Sequence, residues 1–200
     1  MKQPAESGSP QKVSPAVFIV DDDISVRESL KLLICFAGWQ PVTFSSAHEF
    51  LSHPKVFARS CLILDIGLPD INGLDLQQQI ATKYRSPIIF LTGYGDIPST
   101  VRAIKAGAFD FLTKPCHPQQ LRDLVRAALS KDLERRTKQV ERDGLQRRFE
   151  SLTPREHDVL PLVVSGLLNK QAATLLGISE ITLQIHRNRL ALAACRRCGG

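Results

Sequence analysis

The sequence predicts an α/β protein, a doubly wound five-stranded parallel sheet followed by a small all-α helix-turn-helix domain. Three observations support this prediction. Up to about residue 130, short apolar runs alternate with stretches of helical spacing, which is typical of repeated βα units. Most of these runs end in charged or hydroxyl residues. From residue 151 onwards the spacing is helical only, and it begins with a strong helix start signal.

The five apolar runs are the predicted strands. They show little polar alternation, which is typical of strands that are buried on both faces of a parallel sheet. Right-handed crossovers through the intervening helices would then bring all five carboxyl ends to one edge of the sheet. The predicted strands occupy residues 17–20, 41–44, 61–65, 87–92 and 109–113.

Apolar residues at helical spacing predict a helix after each strand. Gly38 is a suitable stop for the first helix, and Pro118 suits the first turn of the last one. The predicted helices occupy residues 26–37, 47–51, 74–84, 99–106 and 118–129.

Polar side chains collect at the predicted carboxyl edge. An acidic run at residues 21–23 follows the first strand, and Asp65 ends the third, whereas Thr92 and Lys114 end the fourth and fifth. Crowded carboxylates repel each other, and a divalent cation relieves that repulsion. A lysine and a hydroxyl beside such a site suit a phosphoryl group. The residues therefore predict a Mg²⁺-dependent phosphoryl site with a carboxylate nucleophile.

The order of these motifs resembles a two-component receiver domain, which has a flavodoxin-like fold. The resemblance covers about residues 15–130. It rests on the acidic run, the turn Leu64-Asp-x-x-Leu-Pro-Asp-x-x-Gly73, Thr92 and Lys114-Pro115.

That resemblance implies a role for each site residue. Asp65 would be the phosphoacceptor. The Mg²⁺ ligands would be Asp22, Asp65 and the backbone carbonyl of Gly67, with Asp21 acting through water. Lys114 and Thr92 would bind the phosphoryl group, and Phe111 would be the switch aromatic.

The regions outside the receiver match differ in composition. Residues 1–14 are polar and predict a disordered lead. Residues 131–150 carry mixed charges and predict a helical linker, which Gly144 could break. The chain has a formal charge of +6, and most of it falls after residue 130, which favours a nucleic-acid partner.

The last segment begins with a capping signal, in which Thr153 precedes Pro154 and Glu156. Two further helices, at 171–176 and from 180 to about 192, are separated by a turn at Gly177. Two helices joined by a short glycine turn are typical of a helix-turn-helix.

The strings Leu152-Thr-Pro-Arg-Glu156, Gly166-Leu-Leu-Asn-Lys170 and Leu176-Gly-Ile-Ser-Glu180 resemble the LuxR-type DNA-binding domain. Together with the receiver, the chain resembles the FixJ/NarL family of response regulators, and within it the FixJ branch. The third helix carries side chains that can meet base edges and phosphates. The resulting candidates for DNA contact are Lys170, Thr182, Gln184, Arg187, Asn188 and Arg189.

This domain, taken as residues 151–200, departs from the family pattern in three ways. Pro161 falls inside its first helix, where it removes a hydrogen bond and can kink the chain. The family usually has a basic residue at Gln184. After Leu190 the family continues into a fourth helix that packs the domain and pairs two copies, so we expect this helix to be missing or altered here.

The sequence is compatible with three alternative functions. The first is a cytoplasmic, phosphorylation-controlled transcriptional regulator that is not an enzyme. Its partners would be a histidine kinase, DNA and a second copy of the chain. The second is a receiver that acts only as a phosphate sink or protein-interaction module beside a non-functional DNA-binding domain. The third is a true Mg²⁺-dependent phosphohydrolase, which is disfavoured because Gly67 stands where a general acid would be needed.

Overall fold

The computed structural model describes residues 14–54, 59–82, 84–93 and 97–195, with the backbone alone at 97–100 and 192–195. The chain divides into two compact units, the first ending at Arg136 and the second beginning at Thr137. The predicted lead lies outside the described residues except for its last residue. Residues 196–200, at the end of the segment after Leu190 where the family has its fourth helix, lie outside them as well.

The first unit is a parallel sheet covered by helices, which confirms the predicted α/β class. The strand order is β2-β1-β3-β4-β5, and all four pairings are parallel. The strands are β1 (Ala16–Val20), β2 (Gln40–Phe44), β3 (Ser60–Asp65), β4 (Ile88–Thr92) and β5 (Asp110–Thr113). The helices are α1 (Ile24–Phe36), α2 (Ala47–Ser52), α3 (Gly73–Ile80), α4 (Ile97–Lys105) and α5 (Pro118–Glu150), and the residues of α5 from Thr137 onwards belong to the second unit.

Alternation along the strands divides the buried side chains between two cores. Phe18, Leu62 and Phe90 belong to a cluster that includes residues of α2, α3 and α4. Ile19 and Ile63 point the other way and pack with α1 and α5. Because both faces are buried, the strands need apolar residues at successive positions. The sequence shows this pattern.

Two helices differ from the prediction. The predicted helix 74–84 ends at Ile80, although Tyr84 is buried in the first core. Tyr84 therefore packs in the first core although it lies beyond the end of α3. The predicted break at Gly144 does not occur, because α5 runs unbroken for 33 residues. Glycine inside a helix costs only about 1 kcal/mol relative to alanine, which the flanking helix formers offset.

The second unit contains α6 (Pro154–Val164), α7 (Asn169–Leu176) and α8 (Glu180–Cys195). The predicted capping signal is confirmed, because Thr153 and Glu156 form a reciprocal capping box. Pro161 lies within α6, which nevertheless continues to Val164. In the described part of the chain, none of the helices has the length and apolarity needed to cross a membrane.

Candidate functional site

Four of the predicted site residues lie together at the carboxyl edge of the sheet. Asp65 is the last residue of β3, and Asp21 follows β1. Thr92 ends β4 and pairs with Thr113, which precedes Lys114. Because these strands are parallel and adjacent, their ends meet at one place.

Lys114 joins the two buried carboxylates of this site. Its Nζ lies 2.5 Å from Asp21 Oδ2 and 3.1 Å from Asp65 Oδ2. The peptide bond between Lys114 and Pro115 is cis. The two distances show that one cation, the Lys114 ammonium, contacts both the proposed phosphoacceptor and Asp21 of the acidic run.

The three carboxylates at the site differ in exposure. Asp21 and Asp65 are 1% and 7% exposed, whereas Asp22 is open to solvent. One oxygen from each of these three residues lies within 4.8 Å of the others. Three hard oxygen donors at this spacing, with one side facing water, suit a small divalent cation that keeps part of its hydration shell.

Burial and charge act in opposite directions on the pKa values of this site. Burial raises the pKa of Asp21, and the contacts with Lys114 do not fully offset that effect. For Lys114, burial lowers the pKa, but hydrogen bonds to Asp21 and Asp65 outweigh it and leave the pKa above its ordinary value. Lys114 is therefore a cation throughout the physiological pH range.

The acidic turn after β1 is held by Arg27, which the sequence did not single out. Its Nη1 donates to the carbonyl oxygens of Asp21 and Asp22 at 2.7 and 2.8 Å. Asp23 accepts from the backbone N–H of Ser25 and so caps α1. An arginine one turn into an exposed helix looks like a solvated charge, so the sequence offered no signal for this contact.

The turn after Asp65 is fixed by two side chains that cap helices. Asp70 accepts hydrogen bonds from the backbone of Ala47 and His48 at the start of α2. Asn72 accepts from the N–H of Leu74 and caps α3. Together they tie the loop that follows the phosphoacceptor to two helices.

Two glycines of that turn lie close to Asp65. A Cβ added at Gly73 would stand 2.3 Å from the backbone oxygen of Asp65, so no side chain fits there. A Cβ at Gly67 would stand 4.0 Å from Asp65 Oδ2. Gly67 therefore lies beside the Asp65 carboxylate, and the metal-ligand role of its carbonyl stays a prediction.

The remaining receiver candidates lie in neighbouring strands. Thr92 is buried at the end of β4. Phe111 lies in β5, is partly buried, and packs against the first core. Phe90 and Phe111 are register partners across β4 and β5, which places Phe111 two residues before the level of Thr92.

In the second unit, small residues bring the two helices of the helix-turn-helix together. Ala172 and Ala173 of α7 pack against Leu183 of α8 and Val159 of α6. Gly177 has a φ of 63°, a left-handed conformation that ends α7 and that glycine adopts without strain. The helix-turn-helix geometry predicted from the sequence is therefore present.

The DNA-contact candidates do not all share one surface. Gln184, Arg187 and Asn188 form one hydrogen-bonded group with Asn169 of α7, which the sequence did not single out. A cleft of about 540 Å³ is lined by Asn169, Lys170, Gln184 and Arg187, among others.

The other two candidates have different surroundings. Thr182 bonds Ser179 through its hydroxyl at 2.8 Å and through its backbone N–H, at the start of α8. Arg189 is exposed and lies near Glu156, where its charge helps to lower the pKa of that carboxyl; hydrogen bonds from Thr153 are the main cause of that shift. Arg189 thus lies toward α6 rather than with the hydrogen-bonded group.

Two family models match the chain, and together they cover both units. Residues 17–126 match the response regulator receiver domain, and residues 150–192 match the bacterial regulatory proteins of the luxR family.

Individual proteins match over most of their length. Nodulation protein W of Bradyrhizobium diazoefficiens is 49% identical over 175 residues, 87% of this chain and 77% of that protein. Response regulator protein TodT of Pseudomonas putida is 43% identical with the same coverage. Transcriptional regulatory protein FixJ of Azorhizobium caulinodans is 37% identical, over 86% of this chain and 82% of that protein.

Solved structures of response regulators resemble this chain as well. The structure of the response regulator StyR has a TM-score of 0.81 and 45% identity, covering 90% of this chain and 91% of that one. Full-length FixJ from B. japonicum has a TM-score of 0.57 and 30% identity, covering 89% and 88%.

Proposed function

The chain belongs to the response regulators that join a receiver domain to a LuxR-type DNA-binding domain, and from this membership we propose how its own residues carry out phosphorylation-controlled regulation of transcription. The observation that carries the proposal is the single ammonium of Lys114, which contacts both Asp21 and Asp65. Asp65 is the phosphoacceptor, and Lys114 and Thr92 bind the phosphoryl oxygens. Phe111 changes its environment when Thr92 engages the phosphoryl group.

The acidic cluster supports Mg²⁺ as the cofactor. Asp22, Asp65 and the carbonyl of Gly67 would hold the ion, and Asp21 would contribute through water. When bound, the ion would neutralise charge at the site of an in-line transfer to a carboxylate. The residues of the chain do the remaining work: Lys114 orients the Asp65 carboxylate, and Arg27 keeps the acidic turn in place.

The proposed output is DNA binding by residues 151–200. Base edges are read by Gln184, Arg187 and Asn188. The phosphate backbone of the DNA is contacted by Lys170, Thr182 and Arg189. The receiver spans residues 15–130 and the helical linker 131–150. The phosphoryl donor is a histidine kinase in the cytoplasm, and phosphorylation favours pairing of two copies. The chain accepts this group once per signal and does not turn over a substrate, which distinguishes it from a phosphohydrolase.

Intact-mass measurement tests the phosphoacceptor. The chain is incubated with a small phosphodonor and Mg²⁺, and we expect the mass of one phosphoryl group to be added. Asp65→Asn should abolish the addition. Asp70→Asn is the matched control, because Asp70 belongs to the same turn and caps α2 instead. Addition that persists in Asp65→Asn would contradict the assignment.

A further inference from the structure

Both polar atoms of the Asn169 side-chain amide form hydrogen bonds within the second unit. Its Nδ2 donates to Gln184 Oε1, and its Oδ1 accepts from Arg187 Nη1. The backbone of Leu168 holds the N-cap position of α7, so the amide of Asn169 is not used to cap the helix.

A further hydrogen bond joins Gln184 to the next turn of α8. Gln184 Nε2 donates to Asn188 Oδ1 at 3.1 Å. Residues three and four apart lie on one face of a helix, so Gln184, Arg187 and Asn188 form one stripe. Asn169 reaches this stripe from the first turn of the neighbouring helix.

Hydrogen-bond chemistry fixes the direction of every bond in this group. A guanidinium can only donate, so Asn169 must present its oxygen to Arg187. Its NH₂ group then faces Gln184, which must present its own oxygen in return. The amide of Gln184 is thereby oriented, and its NH₂ group is turned toward Asn188.

Orientation matters because base edges are read by pairs of hydrogen bonds with fixed geometry. Exposed glutamine and arginine side chains otherwise sample many rotamers, and that freedom is lost on binding. Gln184 is exposed and Arg187 is half-buried, and Asn169 restrains both of them from another helix.

We propose that Asn169 is a positioning residue for sequence recognition, which holds Gln184 and Arg187 in the orientation that reads base edges. The proposal rests on the DNA-binding function proposed above. Asn169 acts through α8, so its loss should reduce discrimination between sequences and leave attraction to the phosphate backbone unchanged.

The test uses the full chain, phosphorylated with acetyl phosphate and Mg²⁺, to select its preferred duplex from a randomised DNA library. Dissociation constants are then measured for that duplex and for a shuffled one. We expect Asn169→Ala to weaken binding to the selected duplex about tenfold and to leave the shuffled duplex within about twofold. Lys170→Ala is the matched control, which should weaken both duplexes alike and reduce the salt dependence.

A double-mutant cycle separates positioning from a purely structural role. With Arg187 and Gln184 both replaced by alanine, Asn169→Ala should cost nothing further. Asn169→Asp keeps the acceptor for Arg187 and removes the donor to Gln184, and its added negative charge weakens binding to both duplexes alike. The ratio of its two dissociation constants should therefore show an intermediate loss of discrimination, and this ratio gives the test if circular dichroism shows that Asn169→Ala unfolds.

Three results overturn the inference: equal losses on both duplexes, no loss on either, or the same loss with and without Arg187 and Gln184. A wild-type chain that binds and selects a sequence, with Asn169→Ala unaffected, contradicts this inference alone. A wild-type chain that binds no duplex contradicts the proposed function, and this inference falls with it.

Discussion

Gly73 lets the backbone at the start of α3 lie in close contact with the backbone of Asp65. The backbone of Asp65 leaves no room for a side chain at Gly73, whose added Cβ would meet the carbonyl oxygen at 2.3 Å. Backbone cannot move aside as a flexible side-chain end can. The loop between Asp65 and α3 would have to shift instead.

We expect Gly73→Ala to destabilise the chain by about 1–3 kcal/mol, because overpacking against backbone forces the turn to move. Urea denaturation measures this change. Gly144→Ala is the control with opposite sign: a Cβ there meets nothing within 4 Å, and alanine in a helix should stabilise by about 0.5–1 kcal/mol. An unchanged midpoint in Gly73→Ala would contradict the close approach.

Asp70 gives the stability of the chain a dependence on acid pH. Burial opposes ionisation of Asp70 more than any one hydrogen bond favours it, but the backbone hydrogen bonds from His48, Ala47, Asp70 and Ile71 together hold its pKa below the ordinary value of 3.8. A lowered folded-state pKa contributes stability above the unfolded-state pKa, and this contribution is lost as pH falls through the folded-state pKa. The charge also lies at the N-terminus of α2, where it is favoured.

The pH dependence of the Tm tests this contribution. The Tm of the wild type should exceed that of Asp70→Asn at neutral pH, and the difference should shrink as pH falls below about 4. A difference that stays constant from neutral to acid pH would show that the charge of Asp70 contributes nothing.

At the scale of secondary-structure elements, Asp132 ties α5 to the strand that carries the phosphoacceptor. Its carboxylate is fully buried and accepts from the N–H of Ser60, the first residue of β3, at 3.0 Å. It also pairs with Arg135 at 2.5 Å and with Arg136 at 2.6 Å. The part of α5 that precedes the boundary between the two units is therefore fixed to the sheet.

We expect Asp132→Ala to destabilise the chain by about 3 kcal/mol, because it leaves the buried N–H of Ser60 unpaired and separates two arginines from their counterion. Asp123→Ala is the matched control on the same helix; its ion pair with Arg126 is exposed and should contribute at most about 1 kcal/mol. Chemical denaturation of both variants gives the comparison, and equal losses would contradict the role of burial.

At the scale of the whole molecule, parallel topology explains which parts of the site the sequence reveals. Asp21, Asp65, Thr92 and Lys114 could be brought together from sequence because each ends or directly follows an apolar strand, and parallel strands end at one edge. The LuxR-type helices were predictable because Thr153 and Gly177 mark their ends.

Contacts that depend on side-chain direction were not predictable. Arg27, Asp132 and Asn169 all lie on helices where polar residues are ordinary, and their partners are distant in sequence or are backbone atoms. Asp132 in particular looks like one more charge of a solvated linker. Its burial follows from where α5 meets β3, which no local pattern records.

Phosphorylation of Asp65 should control DNA binding, and the affinity of the full chain for DNA measures that control. Binding to the selected duplex is titrated with and without a small phosphodonor and Mg²⁺, for wild type and for Asp65→Asn. We predict that phosphorylation strengthens binding by the wild type and has no effect on Asp65→Asn. A wild-type chain that takes up the phosphoryl group on Asp65 but binds DNA with unchanged affinity would contradict control of DNA binding by phosphorylation.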